Sequence, residues 1–141
     1  MSLNPATVSL VVMAVFLAVV FLIVISLTRR RGHGLNRDKY RSEWMKLENS
    51  LNKNNMMTYQ MAVVTADKLL DQAMKDVGLS GETMADRLKV AKSKLMNVDK
   101  VWKAHKLRNR IVHETDVKIS VITGKKVLYI YKNALKDLGA I

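Results

Sequence analysis

The sequence predicts an all-α protein, with a single N-terminal transmembrane helix followed by a small bundle of four or five helices. Three observations carry this expectation. Residues 9–27 read SLVVMAVFLAVVFLIVISL, without a charged side chain. Beyond residue 38, apolar side chains recur every three or four positions, the period of an amphipathic helix. A single short stretch, residues 117–122, alternates like a strand, and an isolated strand has nothing to pair with, so it reads as an extended connection. The expected organisation is an anchor with a basic stop over residues 1–31, a linker over 32–37 and a helical domain over 38–141.

Composition narrows the chemistry before any motif does. The chain has 141 residues, with 24 Lys and Arg against 12 Asp and Glu, a net charge of +12. None of those charges falls within the first 28 residues. About 110 residues remain for the domain, enough for one modest core and too few for two. A surface this basic attracts RNA or anionic lipid headgroups, and charge alone does not choose between them. There is no cysteine, which excludes disulfides and thiolate metal sites. The three histidines, His33, His105 and His113, form no HxxxH or HExxH pair, so neither a metal nor another cofactor is expected.

At about 1.5 Å per residue, the uncharged run nearly spans a hydrocarbon core of about 30 Å, and counting from residue 3 to 28 makes the bilayer contact comfortable. Arg29, Arg30 and Arg31 close it. A cleaved signal peptide carries its positive charges before the apolar run, the reverse of this order. The positive-inside rule then places the uncharged N-terminus outside and the domain in the cytoplasm. Gly32-His33-Gly34 breaks the chain beyond the stop, with His33 a solvated linker residue.

The domain begins at Asp38 with a helix carrying Tyr40, Trp44, Leu47 and Leu51 on one face, and the polar run at 52–55 ends it. The next helix covers 56–77, with Met57, Met61, Val64, Leu69 and Ala73 directed inward and Gly78 as its stop. A short polar turn between two long helices makes them antiparallel neighbours. Thr83 with Asp86 has the form of a capping box, and Met84, Leu88, Ala91 and Leu95 follow as the buried face. Asp99 is expected to cap the central helix, and a last helix over 124–138 carries Val127, Tyr131, Ala134 and Leu138 inward. The nine methionines read as core filling.

The central helix, residues 101–114, holds the candidate site. At about 100° per residue, Val101, Ala104, Ile111 and Val112 share one arc, and Lys103, Lys106, Arg110 and Glu114 point the other way. His105, Arg108 and Asn109 lie inside the apolar arc, and His113 lies at its border. Polar and cationic groups on an inward face need partners or water. They are either a site or a satisfied polar interior.

Arg108-Asn109-Arg110-Ile111-Val112-His113 resembles the RX4-6H signature of HEPN domains. The helix order over most of residues 38–141 is similar as well, with a long pair, a shorter helix, the motif at the end of the next helix, and a last helix bearing Tyr131-Lys132-Asn133. The fused membrane helix departs from the family's soluble toxins. The resemblance implies a homodimer and a metal-independent endoribonuclease with a composite site between protomers. Within it His113 would act as acid or base near the ribose 2′-hydroxyl, Arg108 would stabilise the phosphate, and Asn109 would orient the pair. Histidine and arginine suit those roles. Five residues on a regular helix, however, set Arg108 and His113 about 140° apart.

The other reading is structural: Arg108 pairs with Asp67 or Asp71 and holds the helices in register, and His105 is a hydrogen-bonded core residue. The resulting function is a membrane-anchored, cytoplasm-facing module that dimerises or binds a partner, with the ribonuclease as the alternative.

Overall fold

A computed structural model describes residues 4–29 and 34–141. The chain divides into two compact units, Met1–Arg31 and Gly32–Ile141. Arg30, Arg31 and His33, and with them part of the expected basic stop and linker, lie outside the described residues.

The first unit is helix α1, Pro5–Arg29. Pro5 takes the first helical position, where a missing N–H costs nothing. Over Val8–Ile25 the mean hydropathy is 3.3, and large side chains such as Leu10, Phe16 and Phe21 are exposed. Its 25 residues rise about 37 Å, so α1 is long and apolar enough to cross a membrane.

The second unit is all-helical among the described residues. Its helices are α2 (Arg37–Asn49), α3 (Met56–Asp76), α4 (Met84–Val90, extended by a 3-10 turn Ala91–Ser93), α5 (Val98–His113) and α6 (Val121–Asp137). Side chains start most of them: Asn36 accepts the Lys39 N–H, Asn55 that of Met57, and Ser120 that of Thr123. The capping box of α4 forms in both directions between Thr83 and Asp86. At the end of α3, Gly78 adopts φ +81° and the Leu79 N–H reaches back to the Met74 carbonyl at 2.9 Å, the Schellman ending that glycine permits.

Helix α3 is the centre, packed by α2, α4, α5 and above all α6. Its buried positions, Tyr59, Ala62, Val63, Ala66, Asp67, Leu70, Ala73 and Met74, follow the three-four spacing of one helix face. The alanines let neighbouring helices approach. Gly124 does the same for α6, because a Cβ there would stand 2.7 Å from the Tyr59 Cβ.

Four expectations are corrected. Residues 121 and 122 form the first turn of α6, since the Ser120 cap starts the helix before Gly124. Helix α5 begins at Val98, with Asp99 in its first turn and Asn97 at the cap position. Met57 and Met61 are each 61 % exposed, because the buried arc of α3 is centred on Tyr59, Val63 and Ala66. Among the described residues only Met74 and Met84 of the methionines belong to the core; Met13, Met45, Met56, Met57, Met61 and Met96 are exposed.

Candidate functional site

Two polar residues of α5, His105 and Arg108, converge on one carboxylate. Asp67 of α3 is 3 % exposed, surrounded by α5 and α6. His105 Nδ1 lies 2.8 Å from Asp67 Oδ1, and the Tyr131 hydroxyl of α6 donates to the same oxygen at 2.9 Å. Arg108 Nε stands 3.2 Å from Oδ2, close enough for an ion pair but without hydrogen-bond alignment. A buried carboxylate thus meets two donors and a guanidinium, the compensation that burial of charge requires.

The hydrogen-bond inventory fixes how the rest of the cluster is wired. The Asn109 side-chain oxygen accepts from Arg108 Nη1 at 2.9 Å, so its amide nitrogen is the group facing His105 Nε2 at 3.3 Å. An amide can only donate there, which makes Nε2 the acceptor and leaves Nδ1–H to donate to Asp67. Trp102 closes the outer side, its ring edge-on to His105 with centroids 6.3 Å apart. Burial, and then the charge and hydrogen bond of Asp67, push the Tyr131 phenol far above its ordinary value, outweighing the opposing charge of Arg108. The hydroxyl is therefore a fixed donor.

This wiring limits the chemistry. In a catalytic His–carboxylate pair the second imidazole nitrogen faces substrate; here Asn109 occupies it. Arg108, which the ribonuclease reading assigns to the phosphate, is directed at Asp67. His113, the last residue of α5, is exposed and lines a different cleft of about 790 Å³ with Arg110, Glu114, Lys118, Ser120 and Thr123. Within one chain Arg108 and His113 do not meet, in keeping with their angular separation on the helix. Arg110 in that cleft is paired with Glu114 at 3.2 Å.

Asp71, the other acid considered for Arg108, belongs to a second clamp. Arg87 of α4 is 3 % exposed; its guanidinium contacts Asp71 at 2.7 Å and donates to the Gly81 and Glu82 carbonyls. This ties the α3–α4 connection to α3. Nothing in the sequence signals Arg87 or the role of the Tyr131 hydroxyl, although the helical spacing does put Tyr131 on the inner face of α6.

Beside the cluster, the ends of α3 and α5 form an open groove of about 660 Å³, lined on its apolar side by Met56, Met57, Met61, Val64, Ile111 and Val112. Among the described residues, no group of three or more His, Asp or Glu is placed to hold a metal ion. No protein-family model matches the chain, and searches of characterised proteins and of solved structures returned no significant match.

Proposed function

We propose that the protein is a membrane-anchored module, its HEPN-like helical domain on the cytoplasmic side, that acts by dimerising or by binding a partner. On this reading Arg108, Asn109 and His105 are interior structure, and the methionine-lined groove is the face offered for association. The observation that carries it is the ion pair of Arg108 with the buried Asp67, which directs the Nε edge of the guanidinium into the interior, with Nη1 held by Asn109. Flexible, polarizable methionines suit a surface that adapts to a partner. Orientation rests on the arginine cluster after the span.

The ribonuclease reading draws on one feature, the exposed His113 in a polar cleft; since Arg110 there is paired with Glu114, it needs a second protomer to bring Arg108 to that cleft. One experiment separates the two. Full-length chain in detergent is incubated with RNA in EDTA, and the melting of Arg108→Ala and His113→Ala is measured beside it. The module leaves RNA intact; Arg108→Ala melts early, and His113→Ala stays within about 0.5 kcal/mol of the parent. Cleavage to 2′,3′-cyclic phosphate ends, abolished by His113→Ala, would replace the module with an enzyme.

A further inference from the structure

We infer that the outward face of α6, continued by the start of α5, is a surface that lies on an anionic lipid bilayer. Ile122 and Tyr129 are each 67 % exposed and sit seven residues apart, on one stripe of the helix. Lys125 and Lys126 lie between them and Lys136 follows two turns on, all exposed. From Val121 to Lys136 the helix has no acidic side chain. Asp137 is spent on the Met96 backbone N–H, which donates to it at 2.9 Å. Lys132 turns aside to Glu48 at 2.6 Å, while Lys125, Lys126 and Lys136 have no carboxylate partner among the described residues. The cleft shared by Met96, Lys100, Tyr129 and Lys136 extends the face onto α5, and Met96 is 84 % exposed.

The mixture of residues decides among anionic or apolar occupants. Lysines around exposed Ile, Met and Tyr form a basic amphipathic face, the kind that settles at the boundary of headgroups and acyl chains. Tyrosine suits that depth through its apolar ring and polar tip, and lysine stems reach past apolar neighbours to the phosphates. RNA would take the lysines but leave Ile122 and Met96 in water, and one tyrosine is no stacking platform. A second copy meeting this face through itself would set lysine against lysine. The proposal rests on the membrane-anchor reading, which supplies proximity. Residues 30–36 are the only chain between α1 and α2, and seven residues extend to about 25 Å at most. Tethering at that range turns a weak surface affinity into an intramolecular one.

The chain has no cysteine, so single cysteines at Val15, Lys68 and Asn133 can each carry an environment-sensitive fluorophore in the full-length protein. Discs of phosphatidylcholine, with or without phosphatidylserine, contain acyl-brominated lipid as the quencher. Position 15 is expected to be quenched in both discs. Position 133 should be quenched only with phosphatidylserine and released by salt, while position 68, on the exposed side of α3, should stay unquenched in both. Lys125→Glu with Lys126→Glu should lower the docked-to-free ratio about thirtyfold or more, with helicity unchanged. Quenching at 15 with no effect of phosphatidylserine at 133 overturns the docking face and leaves the anchor standing. Absence of quenching at 15 removes the anchor and this proposal together. Single-stranded RNA that binds the reconstituted chain and is lost in the double variant, without quenching at 133, would reassign the face to RNA.

Discussion

Replacing Asp67 by alanine removes the one acceptor on which three helices converge, and its cost can be worked from the geometry. The substitution strands the His105 Nδ1–H, the Tyr131 hydroxyl and the Arg108 guanidinium, with Tyr131 fully buried. Removing one partner of a buried ion pair costs about 3–5 kcal/mol, a large share of the roughly 5–15 kcal/mol that holds a domain of this size together. At about 4–8 °C per kcal/mol, the melting point falls by roughly 12–40 °C. Asp67→Asn keeps an oxygen for one donor and turns an amide toward Arg108, so about 1–3 kcal/mol is expected. Near-UV circular dichroism of the full chain in detergent reports the melt through Trp102, packed against His105. The coupled variant Asp67→Ala with Arg108→Ala should cost less than the sum of the two. An Asp67→Ala protein within about 1 kcal/mol of the parent, or strict additivity in the pair, would refute the reasoning.

Two further predictions concern packing and acid stability. Gly124→Ala brings a Cβ to 2.7 Å from the Tyr59 Cβ; overpacking of about 1–3 kcal/mol outweighs the gain of up to about 1 kcal/mol in helix propensity, so denaturant unfolding should show a less stable protein, and a neutral or stabilising result contradicts the close approach. Hydrogen bonds from Thr83 and then Lys89 push Asp86 from 3.8 down to about 2. With the folded value below the unfolded one, the stabilisation is present above about 3.8 and disappears as pH falls toward 2. Thr83→Ala should flatten that part of the stability–pH curve, and an unchanged slope there counts against the capping box.

How much was legible in the sequence depends on whether a signal was local. The Thr83–Asp86 box could be read because all its partners lie within one turn, and Met84, Leu88, Ala91 and Leu95 follow at helical spacing into the core. The start of α6 was misplaced because glycine usually punctuates a chain, whereas Gly124 is kept small by Tyr59 from another helix. Met57 and Met61 misled for a related reason: methionine is apolar enough to suggest burial and adaptable enough to occupy an open groove. At the site, Asp67 was available as a partner only as one of two acids on a neighbouring helix, because the inward face was centred on Met57, Met61 and Val64 rather than on Tyr59, Val63 and Ala66. The Tyr131 hydroxyl was not, since a tyrosine in core register reads as apolar until the opposing helix is known. Arg87 was hidden by the opposite bias, which sends an arginine outward by default.

On the proposed reading, the buried cluster bears on association through register. Asp67 belongs to α3, His105 and Arg108 to α5, and Tyr131 to α6, so one carboxylate keys three helices whose other contacts are mainly apolar. Apolar packing tolerates small slips better than a hydrogen-bonded carboxylate does. A slip of α5 by one residue turns its side chains by about 100° and takes both His105 and Arg108 off Asp67, leaving a buried charge without partners. The same rotation would carry Ile111 and Val112 away from Met57 and Met61 and so dismantle the groove they line together. The cost of burying Asp67 is thus tied to the shape of the surface beside it: the interior ionic contact holds α5 at the one rotation in which its apolar end and the exposed methionines of α3 face the same opening.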